Sequence, residues 1–136
     1  MDKDVLYDWL YLAAADIDSA KLLQSMRPQH KEIIGFHCQQ SAEKYLKAYL
    51  FSCGEMPPKI HDLITLCKMC IEFDTTFEAL ETATSFLTPL GVQPRYPHEL
   101  NITDGAIAKA LQYAEQVSNF PAIVALNLPQ VADLRL

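Results

Sequence analysis

Arg95, Tyr96 and His98 fall in one short run, Arg95-Tyr96-Pro97-His98-Glu99, and their side chains suit a phosphate-bearing ligand. A guanidinium offers a fork that matches phosphate oxygens, an imidazole moves protons near neutral pH, and a phenol ring stacks on a base. Pro94 and Pro97 restrain the backbone on either side of Arg95 and Tyr96, which lowers the entropy lost when these groups are held for a ligand. The competing role for Arg95 is structural: it caps the carboxyl end of the preceding helix or pairs with a carboxylate.

A second polar set, His37, Gln40, Glu43, Lys44 and Lys47, clusters on one side of a helix at about 100° per residue, opposite Ile34, Ala42 and Tyr49. One reading is a solvated outer stripe; the other is the wall of a ligand groove shared with the Arg95 loop. Phe36, Leu50 and Phe51 lie on that same side, so this helix has a second apolar surface to cover, which favours a homodimer or another partner. Asp16 sits among Trp9, Ala13 and Ala20 on the inward side of the first helix. A carboxylate there needs a lysine or a backbone amide, and a structural role that orients the helix follows. His61-Asp62 comes after a proline turn and reads as capping and loop closure, with Asp62 at the positive end of a helix dipole. Cys67 and Cys70 form a C-x-x-C near Cys53 and His61. Both thiols fall on an apolar face with Leu63 and Leu66 and no second spaced pair exists, so the expectation is core packing, with no metal and no cofactor.

The elements that must position these groups are helical. Val5, Trp9, Leu12, Ala13, Ile17, Ala20 and Leu23 recur at three- and four-residue steps over a first helix from Asp4 to about Met26, ended by Arg27-Pro28. A second helix runs from about Lys31 to Ser52 on a stripe of Ile34, Cys38, Ala42, Tyr45, Leu46 and Tyr49, stopped by Cys53-Gly54 and Pro57-Pro58. The two predict an antiparallel hairpin. A shorter helix spans about His61 to Phe73. Thr75 and Glu78 predict a capping box for a fourth, carrying Phe77, Leu80, Ala83 and Leu87 until Pro89. The proline-rich stretch from Pro89 to Ile102 breaks the helical pattern. Thr103-Asp104 then opens a fifth helix through Ile107, Ala110, Leu111, Ala114, Val117 and Phe120. The expected fold is an all-α, up-and-down bundle of four long helices plus a short one over residues 1–120, with an apolar tail, 121–136, docked or mobile.

At 136 residues, 50% hydrophobic and 21% charged, one domain with one core is expected. The formal charge of −6 argues against a broad basic face that coats duplex nucleic acid, so any RNA contact is local. No apolar run reaches the roughly 18 residues of a membrane span, and the start MDKDVLYDWL lacks a basic segment followed by an apolar stretch. A cytoplasmic protein with its four cysteines reduced is expected.

The run Phe36-His37-Cys38-Gln39-Gln40-Ser41-Ala42-Glu43-Lys44-Tyr45-Leu46-Lys47-Ala48 is preceded by Asp16 and Ala20 and followed by His61-Asp62-Leu63 and Arg95-Tyr96-Pro97. Together these blocks resemble the small prokaryotic HEPN domains, over roughly Trp9 to Phe120. The resemblance implies a helical bundle that usually dimerises and is often encoded beside a minimal nucleotidyltransferase as a toxin–antitoxin pair. Many members are metal-independent endoribonucleases with an arginine, four to six residues and a histidine at the dimer interface. Here His98 follows Arg95 after only two residues, which departs from that pattern and matches the Arg-Tyr-Pro variant, whose implied role is to bind a nucleotide or a partner. The favoured expectation is therefore a binding module for a nucleotide or RNA phosphate, for a nucleotidyltransferase, or for both, contacted by Arg95, Tyr96, His37, Gln40, Glu43 and Lys44. The alternative is an endoribonuclease using Arg95 and His98 as catalytic residues at a dimer interface, in which a 2′-hydroxyl attacks the adjacent phosphate.

Overall fold

The helix Lys31–Ser52, here α2, is the axis of the molecule, and every other helix packs against it: α1 (Lys3–Leu23), α3 (Leu63–Phe73), α4 (Glu81–Leu87), α5 (Asp104–Ser118) and the short α6 (Pro121–Val124). The computed structural model describes residues 2–92 and 102–127; among them all regular structure is helical, which makes the chain an all-α bundle. α1 and α2 form the expected antiparallel hairpin. The Ser41 hydroxyl donates to the Ala13 carbonyl at 2.8 Å, and Asp16 meets both His37 and Lys44 across the same seam.

Local chemistry sets the helix ends. Asp2 caps α1, its carboxylate accepting from the amides of Asp4 at 2.9 Å and Val5 at 3.3 Å, and Thr103 caps α5 through the amide of Ala106 at 3.0 Å. Asp62 caps α3 by accepting from the Ile64 amide at 3.0 Å and the Thr65 hydroxyl at 2.9 Å. The capping box expected at Thr75 and Glu78 does not form. Asp74, one position earlier, accepts from the Thr76 amide at 2.9 Å and hydroxyl at 2.6 Å, two bonds that hold its carboxyl below the ordinary range. The chain then makes a 3₁₀ helix, Thr75–Leu80, before α4 begins at Glu81. A carboxylate accepts more strongly than a hydroxyl, so the cap shifts to the aspartate.

The core stripe of α1 is Leu6, Leu10, Ala13, Ile17 and Ala20, turned from the expected one: Val5 and Leu12 are exposed and Trp9 is half-buried. Apolar residues on both flanks of the stripe left its exact azimuth open. Leu50, expected on an outer surface, is fully buried, and Phe51 packs against the core. The covering that these two side chains need comes from this chain itself. Phe77 packs between Tyr49 and Phe120 at the far end, its ring tilted by 49° and 50° to theirs with centroids 4.4 and 4.8 Å away. Ile123 is fully buried, so the core continues past residue 120; residues 128–136 of the tail lie outside the described residues.

Cys38, Cys67 and Cys70 are buried thiols. Burial, reinforced by the charge of Glu115, pushes the Cys38 thiol up to about 12, and burial likewise raises Cys70 and Cys67. Cys67 donates its Sγ–H to the Phe77 carbonyl at 3.4 Å. A folded-state pKa above the unfolded one means that the native state holds the proton more tightly. The stability linked to it is complete below about pH 8.5 and is lost as pH rises toward the folded pKa. Urea denaturation is therefore expected to show stability falling above about pH 9, with Cys38 and Cys70 each contributing a slope of about 1.4 kcal/mol per pH unit. A profile that is flat to about pH 10 and unchanged by Cys38→Ala would contradict it.

Candidate functional site

Twelve of the 22 residues of α2 are buried, and between Ser41 and Leu50 only Lys44 and Tyr49 are not. The polar residues of this helix therefore do not form a solvated stripe. Glu43 and Lys47 are 5% and 6% exposed and Gln39 is fully buried, a placement that is stable only when each polar atom finds a partner. No buried side-chain nitrogen or oxygen among the described residues lacks one.

Two networks satisfy them. In the first, Asp16 of α1 receives the Lys44 ammonium on Oδ2 and the His37 imidazole on Oδ1, the latter at 2.9 Å. The carboxylate only accepts, so His37 Nδ1 carries a proton. In the second, Glu43 accepts from Lys47 Nζ at 3.2 Å, Gln39 Nε2 at 3.2 Å and His61 Nδ1 at 3.0 Å. Gln39 also donates to the His61 carbonyl at 2.9 Å and accepts from Gln40 Nε2 at 2.8 Å. The ammonium of Lys47 lies 6.0 Å from the centroid of the Trp9 ring, within cation–π range. Each network holds one carboxylate, one ammonium and one imidazole. With the imidazoles neutral, each is electrically balanced.

The sequence-predicted residues are thus distributed unevenly. Asp16, His37 and Lys44 come together; Glu43, Gln40 and His61 come together in the second network; Asp62 faces away as the α3 cap. Arg95, Tyr96 and His98 lie outside the described residues. Glu43 is enclosed by its three donors, while Lys44 keeps partial exposure. Gln39 and Trp9 complete the site without having been singled out as site residues. The i, i+4 ladder Gln39–Glu43–Lys47 was the available signal for Gln39.

Gly91 gives the site its edge. A 3₁₀ turn, Thr88–Gly91, packs on α2, and a Cβ at Gly91 would lie 2.5 Å from Gln39 Cδ. The backbone thus touches the buried amide directly. Farther along, Lys31 at the start of α2 is paired with Asp104 at the start of α5 at 2.8 Å. Gly91 and Asp104 thus meet the first three turns of α2 on either side of Gly35.

Among the described residues no group of three or more His, Cys, Asp or Glu converges as a metal site, and no helix is long and apolar enough to cross a membrane. The geometry defines a class: an all-α bundle whose central helix carries two internal carboxylate–imidazole–ammonium networks. The sequence profile of the HEPN domain matches residues 6–124, nearly the whole chain, and the protein belongs to the HEPN family. No curated protein and no solved structure matches it.

Proposed function

We propose that this HEPN-domain protein is a binding module of the toxin–antitoxin type. It takes a nucleotide or RNA phosphate on Arg95 and Tyr96, and it engages a minimal nucleotidyltransferase as a cytoplasmic homodimer. The observation that carries this reading is the contact of Gly91 with Gln39 of α2, shortly before Arg95 in the chain. Arg95 lies four positions beyond Gly91, so the two Cα atoms are at most about 14 Å apart, which keeps Arg95 within reach of the Gln39–Glu43 network that Gly91 touches. His37, oriented by Asp16, and the partly exposed Lys44 supply the polar wall. Arg95 supplies the phosphate fork.

Co-expression with a minimal nucleotidyltransferase, followed by size exclusion and intact mass, tests it. A stable complex or a nucleotide mass added to Tyr96, in either case weakened by Arg95→Ala, is the expected result; no complex and no added mass overturn it. An RNA degradation assay separates the alternative. If the wild type cuts RNA while folded Arg95→Ala and His98→Ala variants do not, the endoribonuclease reading replaces this one.

A further inference from the structure

A cavity of about 490 Å³ opens at the opposite end of α2 from its carboxyl terminus, lined by Gln24, Arg27, Gln29, Lys31, Asp104 and the α5 side chains Ile107 and Ala108. We propose that it binds a small phosphate monoester, with Arg27 and Lys31 as the groups that hold the phosphate.

The guanidinium is fixed in advance. Arg27 Nη1 donates to the carbonyls of Gln24 at 2.7 Å and Met26 at 2.9 Å, which uses both of its N–H groups. The Nε–Nη2 edge, the bidentate fork, has no partner among the described residues, and a fork already held by its other nitrogen loses little entropy on meeting an anion. Lys31 provides the second cation. Its partner, Asp104, has a side chain 85% exposed against 34% for Lys31, and such surface pairs exchange readily with another anion. The Asp104 carboxyl is itself an internal probe of the site: the hydrogen bond and charge of Lys31, with a further contribution from Arg27, hold it below its ordinary range. Both cations thus act on one point where an anionic oxygen already rests. In a chain of net charge −6 this is a local positive potential, suited to a compact dianion rather than to a long polyanion. The carboxamide of Gln24 and the Ile107–Ala108 floor leave room and contacts for the ester group, and the volume is in the range of small-molecule sites.

The proposal is independent of Arg95. Titration of the full-length protein with inorganic phosphate, adenosine monophosphate and adenosine at low salt, followed by calorimetry and amide chemical shifts, tests it. Phosphate and the monophosphate are expected to saturate, adenosine not to, with shifts centred on Lys31 and Gly105. Arg27→Gln and Lys31→Gln should each weaken binding about tenfold, the value of one charge-assisted contact. Asp104→Asn should tighten it by removing the competing carboxylate. Absence of saturation by about 10 mM phosphate, or binding that responds to Arg95→Ala and ignores Arg27→Gln and Lys31→Gln, overturns it. Equal binding of adenosine would show that the phosphate is not the recognised group and would overturn it as well.

Discussion

Replacing Glu43 by alanine is expected to destabilise the protein by about 3–5 kcal/mol, because it leaves the Lys47 ammonium buried without its counter-charge. The side chains of Glu43 and Lys47 are 6% and 7% exposed, so water cannot step in as it would at a surface pair. His61 loses its acceptor in the same change. Removing both charges together should be far milder: with Glu43→Leu and Lys47→Met the enclosed volume stays apolar and filled, and the stability should return to within about 1 kcal/mol of the wild type. Gln39 then keeps its bond to the His61 carbonyl. Urea denaturation of the two single variants and the double variant measures this directly. Equal losses in Glu43→Ala and in the double variant would show that the pair is not the source of the effect. Changes at Asp16 should cost less, since Lys44 and His37 are 22% and 29% exposed and retain access to solvent.

The second large effect is expected at Gly91. Its φ is not the reason; the reason is space. A methyl group there meets Gln39 Cδ at 2.5 Å, Oε1 at 2.8 Å and Nε2 at 2.9 Å, and Gln39 cannot swing aside without giving up its bonds to Glu43, the His61 carbonyl and Gln40. Gly91→Ala should therefore lower stability by about 1–3 kcal/mol, the usual range for overpacking. It should also weaken any partner or phosphate binding that depends on Arg95, since the chain leading to that residue starts here. Gln39→Ala removes the obstruction. A double-mutant cycle should then show that Gly91→Ala costs little in the Gln39→Ala background, whereas additive losses would place the strain elsewhere.

Much of this architecture was legible from residue order. Prolines and glycines placed the breaks after Ser52 and Leu87, and that after α1 to within three residues, at Leu23 rather than Met26; Thr103 marked the start of α5, because backbone restriction and side-chain capping act over a few residues. The need of Asp16 for a cationic partner was also readable, and Lys44 fills it. The azimuth of α1 and the caps before α4 were not. Val5 and Leu12 compete with Leu6 and Leu10 for the same face, and only packing against α2 decides between them.

The environment of α2 was the least accessible. A row of His, Gln, Glu and Lys on one side of a helix looks the same whether water or protein lies beyond it. Helical periodicity reports which residues share a face, whereas the number of neighbours surrounding that helix is a long-range property. The amino-acid order by itself determined an all-helical chain, its breakpoints and the grouping of polar side chains along α2. The tertiary structure alone decided that Glu43, Lys47 and Gln39 are internal, since burial of a charge depends on α1, the turn before α3 and Gly91 arriving together to supply its partners.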